Sequence, residues 1–134
     1  MREMEVVFPG GRKVDVLYQG FRIETDQSRE DGSPGSAPKP FDLFLASIAA
    51  CSGIYVLVFC LNRDLNTEGL KLIMRTHRDP AKRMIGRIEI EILLPPDFPD
   101  KYREAVIRAA EQCTVKKHME NPPEFVITTK KPGE

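Results

Sequence analysis

Three cysteines, Cys51, Cys60 and Cys113, are the side chains of this sequence best suited to redox chemistry. The first two lie on one uncharged stretch, FLASIAACSGIYVLVFC, which has the length and composition of a helix. Nine residues of helix would put them on opposite faces, about 13 Å apart along the axis. A disulfide needs Cα atoms within about 7 Å, so this pair cannot join while the helix is intact. Any intrachain disulfide must therefore include Cys113, and we favour Cys51–Cys113.

The competing interpretation is that all three thiols are buried and unreactive, because free cysteine usually behaves as a small hydrophobe. A reactive thiol needs a lowered pKa. The helix dipole gives little help in the middle of a helix, so a neighbouring cation would have to lower it. There is no Cys-x-x-Cys motif, and the two histidines, His77 and His118, lie far apart in the sequence. The sequence therefore predicts no metal site.

The composition is that of a globular protein, with 41% hydrophobic and 30% charged residues in a chain of 134 residues. This length predicts a single domain over residues 1–134. Lys and Arg together number 20, as do Asp and Glu, and this balance argues against a nucleic-acid partner. The first residues, MREMEVVFPGGRK, lack the apolar core of a signal peptide, so the cytoplasm is the expected compartment.

The pattern of apolar residues predicts an α+β fold with the order βββ-α-ββ-α-α-β. Three short antiparallel strands come first, in residues 4–8, 12–18 and 21–25. A polar loop over 26–39 leads to a long helix that opens at Pro40 and ends near Arg63. A hairpin of two longer strands follows in 69–79 and 83–94. An amphipathic helix over 102–113, a short helix after Cys113 and a last strand over 124–131 complete the order.

The long helix has three possible settings: a membrane, a protein core or a core shared with a second subunit. Its 19 uncharged residues, 43–61, meet the length of a membrane span. However, Asp42 and Arg63 flank the run without an asymmetric cluster of bases, and the strands need an apolar partner. We therefore predict a buried central helix and no membrane. So small a domain cannot easily cover such a helix on every side, and this favours a homodimer with close helix contact at Ala46, Ala49, Ala50 and Gly53.

Two segments, KPFDLFLASIAAC and the later AAEQCTV, resemble the OsmC/Ohr family of osmotically induced and organic hydroperoxide resistance proteins. The likeness is closer to the divergent OsmC-like branch. It includes the order of the segments and so spans most of the chain. The resemblance implies an OsmC-like fold in an intertwined homodimer, with the active site at the subunit interface.

The same resemblance implies a cysteine-based peroxidase that acts in the oxidative stress response. Cys51 would attack the hydroperoxide and become a sulfenic acid, and Cys113 would resolve it as a disulfide. Arg12, in PGGRK, would stabilise the thiolate, although it could instead be an exposed turn residue. The products would be an alcohol and water, and an external dithiol, of lipoyl type or another thiol, would restore the enzyme. Neither a metal nor an organic cofactor would be required.

This sequence departs from the family pattern at two positions. Phe41 stands where hydroperoxide resistance members have a glutamate, and Asp42 follows it. Asp42 could orient Arg12 or cap the helix, and we favour the cap. Thr114 replaces the usual proline after the second cysteine. These departures keep an alternative open, namely a non-catalytic OsmC-like protein that binds an apolar small molecule or a partner in the dimer cleft.

An apolar approach to Cys51 would favour organic hydroperoxides over hydrogen peroxide. The side chains expected to line it are Phe41, Phe44, Ile48, Ile54 and Tyr55. Cys60 has no part in this scheme, and we predict that it packs in the core.

Overall fold

The computed structural model describes residues 1–134 and groups them into two compact units, 1–47 and 48–134. It contains strands and helices in the mixed α+β arrangement that the sequence predicts. The boundary between the units falls within the long helix. The assignment of the whole chain to one domain stays a prediction.

The first unit is built on a three-stranded antiparallel sheet in the order β1-β2-β3. The strands are β1 (Glu5–Gly10), β2 (Lys13–Tyr18) and β3 (Phe21–Thr25), as predicted. β2 and β3 are joined by Gln19 and Gly20, whose φ angles are 46° and 83°. Two residues with positive φ make the kind of turn whose twist matches a tight hairpin, and this explains why the register closes at Tyr18 opposite Phe21.

The polar loop after β3 is organised by one buried carboxylate, Asp26, which is 0% exposed. It accepts hydrogen bonds from the hydroxyl of Ser33 and from both the backbone N–H and the hydroxyl of Ser36, at 2.9 and 2.8 Å for the latter two. These donors, led by Ser33, hold the pKa of Asp26 well below its ordinary value. A long loop without secondary structure thus has a fixed internal anchor.

Replacing Asp26 by asparagine should make the folding stability less sensitive to a fall in pH. The folded-state pKa of Asp26 is depressed, so its contribution is complete above the unfolded pKa of about 3.9 and is lost as the pH falls through the folded pKa. Urea midpoints measured below about pH 4 should therefore fall less steeply in Asp26→Asn than in the native protein. Asp64→Asn is the control, because Asp64 is exposed and its φ of 53° suits asparagine. Equal slopes in the native protein and Asp26→Asn would contradict the role of the carboxylate.

The long helix, α1, runs from Pro40 to Leu61, close to its predicted bounds. Proline at the first helical position lacks only an N–H that would be unpaired there. The Asp42 side chain accepts a hydrogen bond from the backbone N–H of Lys39 at 3.2 Å, which is the return bond of a capping box. At the other end, the Arg63 guanidinium donates to the carbonyl of Phe59 at 3.2 Å. The predicted cap at Asp42 is therefore present.

The second unit contains the antiparallel hairpin of β4 (Lys71–Asp79) and β5 (Met84–Leu93), which confirms the predicted pair. A short 3-10 turn over Asp100–Tyr102 leads into α2 (Arg103–Ala110), and α3 (Thr114–Glu120) follows. The core is formed by Val56, Phe59, Cys60, Phe98 and Val106, with partly buried leucine, isoleucine and alanine side chains around them.

By length and composition, α1 is apolar enough to cross a membrane, with a mean hydropathy of 2.3 in its most apolar window. The core helix of a soluble protein meets the same test. Five of its residues are buried: Ile48, Ser52, Val56, Phe59 and Cys60. Ile54 and Val58 are 50% and 42% exposed. The surplus apolar surface expected from the sequence is thus present, and the homodimer that would cover it stays a prediction.

The last predicted strand, over 124–131, is wrong for this structure, because these residues form no strand. Its large apolar side chains are exposed, with Phe125 at 81% and Ile127 at 92%. A β-type sequence becomes a strand only beside an edge whose N–H and C=O groups are free to pair. No strand edge pairs with this segment, and the residue pattern of one segment cannot show whether such an edge is available to it.

Candidate functional site

The sulfur atoms of Cys51 and Cys113 both accept hydrogen bonds from backbone N–H groups in the first turn of α3. Cys51 lies in the middle of α1, and its Sγ accepts a hydrogen bond from the backbone N–H of Thr114 at 3.2 Å. Cys113 is the residue before α3, and its Sγ accepts from the N–H of Lys116 at 3.4 Å. Its thiol also faces the carbonyl oxygen of Ile48 at 4.0 Å. Two thiols 62 positions apart in the sequence therefore share one site.

The two thiols differ in their access to solvent. Both are unbonded to other cysteines, but Cys51 is partly exposed whereas Cys113 is 1% exposed. Of the two residues, Cys51 therefore has the greater contact with solvent. This asymmetry suits one reacting thiol and one that acts only on its neighbour.

The surroundings of Cys51 favour its thiolate. The backbone N–H of Val115 contributes most to lowering the pKa of the Cys51 thiol, and Cys113 and Thr114 add to it. Burial acts in the opposite direction, and the balance leaves the pKa below its ordinary value. The sequence suggested a neighbouring cation as the only source of thiolate stabilisation. In the structure, hydrogen bonds from α3 provide it.

Thr114 connects the thiol site to two further side chains. Its hydroxyl lies 3.1 Å from the Tyr55 hydroxyl, one helical turn along α1 from Cys51. Its carbonyl oxygen accepts from Nδ1 of His118 at 2.7 Å. In the sequence, Thr114 stands out only because it replaces the proline that usually follows the second cysteine in the OsmC/Ohr pattern. The signal that could have identified it as part of the site is its position directly after Cys113.

Cys60 lies apart from this site. It is 0% exposed within the core of the second unit, and burial raises the pKa of its thiol. The prediction that Cys60 packs in the core is confirmed.

The other predicted site residues, Arg12, Asp42, Phe41 and Phe44, belong to the first unit. The Arg12 guanidinium donates to the backbone carbonyl of Asp31. Asp42 is engaged in the cap of α1. The rings of Phe41 and Phe44 stack with centroids 5.5 Å apart, and both remain exposed, at 51% and 38%.

A cavity of about 540 Å³ adjoins the thiol site within the second unit. Cys113, Ile48 and Ser52 form part of its wall. The rest is mostly apolar and includes Ile88, Ile90 and Ile92 of β5, with Arg103, Glu111 and Lys116 as the charged members. The cavity has the size and apolar character of a small-molecule pocket. No group of three or more His, Cys, Asp or Glu side chains is arranged to hold a metal ion.

The fold is shared with several solved structures. One is a candidate osmotic stress induced and detoxification response protein from Psychrobacter arcticus, with 20% identity, a TM-score of 0.74 and 87% of each chain covered. Another is an OsmC-like protein from Mycoplasma pneumoniae, with 14% identity, a TM-score of 0.68 and coverage of 91% of this chain and 89% of that one. A third is an organic hydroperoxide resistance protein OsmC from Legionella pneumophila, with 20% identity, a TM-score of 0.55 and coverage of 89% and 88%.

Family membership is decided by sequence. No curated protein matches the chain. The family model described as OsmC-like protein matches residues 32–128, which is most of the chain and includes both cysteines of the site. The chain therefore belongs to the OsmC-like protein family.

Proposed function

We propose that this protein is a thiol-dependent peroxidase that reduces organic hydroperoxides, with Cys51 as the reacting thiol and Cys113 as the resolving thiol. The observation that carries the proposal is that a partly exposed cysteine and a buried cysteine lie together at the start of α3. There the Cys51 sulfur accepts a hydrogen bond from the backbone N–H of Thr114. Structural cores contain many cysteines, but an inert thiol gains nothing from donors that favour its thiolate.

The proposed reaction has three steps. The Cys51 thiolate attacks the outer oxygen of the hydroperoxide, the O–O bond breaks, and the alkoxide takes a proton and leaves as an alcohol. Cys51 is then a sulfenic acid. The Cys113 sulfur attacks the Cys51 sulfur, an S–S bond forms, and hydroxide leaves with a proton as water. An external dithiol supplies two electrons and two protons and restores both thiols.

We propose different roles for Arg12 and Asp42. A guanidinium is always charged, so Arg12 remains the proposed partner of the thiolate and of a peroxide oxygen. Asp42 already accepts a hydrogen bond from Lys39, and its proposed contribution is to fix the start of the helix that carries Cys51. We propose that the protein works as a homodimer in the cytoplasm.

The substrate proposed is an organic hydroperoxide with an apolar body. The cavity beside Cys113 and Ile48 is mainly apolar, and it can take such a body while the peroxide group stays near the thiols. Phe41, Phe44 and Tyr55 are the further side chains proposed to contact substrate. The Legionella pneumophila structure of this fold is described as a hydroperoxide resistance protein, which fits this substrate class.

Counting thiols tests the proposal. The native protein, with three free cysteines, should lose two of them within seconds of a stoichiometric dose of cumene hydroperoxide. Cys60→Ser is the matched control: it should also lose two thiols, because Cys60 is buried in the core, and be left with none. Slow loss, or loss of one thiol fewer in Cys60→Ser than in the native protein, would contradict the assignment of Cys51 and Cys113.

The second candidate function is a non-catalytic OsmC-like protein that binds an apolar small molecule or a partner. Two observations favour it: the apolar cavity itself, and Phe41 in place of the glutamate of hydroperoxide resistance members. This candidate predicts no rapid thiol loss. It also predicts equal binding of cumyl alcohol by the native protein and Cys51→Ser, measured by calorimetry.

A further inference from the structure

Thr114 offers three polar groups, and each has a partner near the proposed reacting thiol. Its N–H donates to the Cys51 sulfur at 3.2 Å, and its hydroxyl lies 3.1 Å from the Tyr55 hydroxyl. Its carbonyl oxygen accepts from His118 at 2.7 Å. The Tyr55 and His118 contacts hold the residue on both sides, so its N–H has a fixed direction toward the sulfur.

The conformation of Cys113 shows that this position does not require threonine. Its ψ is 119°, the extended value that a residue before proline adopts, and Thr114 is the first residue of α3, where proline is well tolerated. Proline therefore suits the backbone conformation at position 114, but its Cδ would take the place of the N–H that points at the Cys51 sulfur, so that sulfur would have to move away. Proline has no N–H and could not donate to Cys51.

We propose that Thr114 is a donor of the thiol site, whose backbone N–H stabilises the Cys51 thiolate in a way that a proline at this position cannot. The same N–H can donate to the negative oxygen of the sulfenate once Cys51 is oxidised. The inference rests on the proposed function for the identity of the reacting thiol, but the hydrogen bond can be tested without any hydroperoxide.

The variant Thr114→Pro removes this N–H and retains the helix start. We expect the midpoint of the pH profile for alkylation of Cys51 by iodoacetamide, followed by peptide mass spectrometry, to rise by about one pH unit. Thr114→Ala keeps the N–H and loses the hydroxyl, which also helps to lower the pKa of Cys51, so its midpoint should rise by less than that of Thr114→Pro. A native midpoint in Thr114→Pro, or an equal rise in both variants, overturns the proposal.

The other groups that bear on Cys51 must be followed in the same experiment. Cys113 is the titratable side chain that acts on its thiol, and peptide mapping reports the two cysteines separately. The N–H of Val115, which contributes most to the lowered pKa of Cys51, is retained in both variants, as are the side chains of Tyr55 and His118. The contact of Tyr55 with the Thr114 hydroxyl is lost in both variants alike. Lys116 and Lys117 are the remaining charges at this end of α3 and are also unchanged.

A second measurement does not depend on the folding of any proline variant. In ¹⁵N-labelled native protein, the amide resonance of Thr114 should titrate with the same midpoint as Cys51 alkylation, and in Cys51→Ser it should not. An amide resonance that stays constant through the Cys51 titration overturns the proposal. If the amide titrates but hydroperoxide causes no thiol loss, the peroxidase function fails and the Thr114 hydrogen bond stands. If thiols are lost rapidly but the amide stays constant, the peroxidase function stands and the Thr114 hydrogen bond fails.

Discussion

Cys51→Ser is expected to abolish the consumption of cumene hydroperoxide and to lose no thiols when the peroxide is added. Serine keeps the size of the side chain, but its hydroxyl is not ionised near neutral pH and cannot attack the O–O bond as a thiolate does. Cys113 remains in this variant and forms part of the cavity wall, but it is 1% exposed, so we expect it to react with hydroperoxide far more slowly than Cys51. Peroxide consumption and thiol content measured together check this expectation.

Cys113→Ser is the informative companion to this variant. It should consume one equivalent of hydroperoxide, lose one thiol in place of two, and then stop, because the Cys51 sulfenic acid has no neighbour with which to form a disulfide. A sulfenic acid reagent such as dimedone should label Cys51. Sustained hydroperoxide consumption by Cys51→Ser would show that another group performs the chemistry.

Phe59→Ala is expected to destabilise the protein by about 3–5 kcal/mol, a large share of the 5–15 kcal/mol that typically holds a domain together. The Phe59 side chain is 7% exposed in the core of the second unit. Its ring packs edge-on against Tyr102 with centroids 5.8 Å apart, and the Arg63 guanidinium lies 3.7 Å above it. Truncation removes these contacts and leaves a cavity that the surrounding helices cannot fill.

The measurement is the free energy of unfolding from urea titration. Phe125→Ala is the matched control, because Phe125 is 81% exposed, and the loss expected there is within about 0.5 kcal/mol. A loss below about 1 kcal/mol in Phe59→Ala would contradict the packing described for the core. A large loss in Phe125→Ala would show that the segment after α3 is covered in solution.

Local pattern was sufficient to predict nearly all the elements of this fold. Alternation predicted four of the observed strands, and β-branched and apolar residues before a turn predicted the first. The apolar run with proline at its start and Asp42 beside it predicted α1 almost to its ends. Such patterns are readable because a strand or a helix exposes its own period in the sequence. The predicted strand over 124–131 is wrong for a related reason. The residue pattern of one segment does not show whether a strand edge is free to pair with it.

The thiol site, too, could be predicted only in part from the sequence. Helical geometry alone excluded a Cys51–Cys60 disulfide and left Cys113 as the necessary partner in any intrachain bridge. It could not supply the reason for a stabilised thiolate, because the sequence directed the search to a charged side chain.

What the sequence by itself determined, then, is which segments form nearly all of the strands and helices, which two cysteines cannot pair with each other, and which family the chain belongs to. What only the tertiary structure decided is the environment of Cys51. The Thr114 N–H that reaches the Cys51 sulfur belongs to the main chain, which every residue except proline carries, so its role cannot be recognised from residue type. It becomes visible only when α3 is placed against α1, because a hydrogen bond depends on distance and direction between segments that lie far apart in the chain.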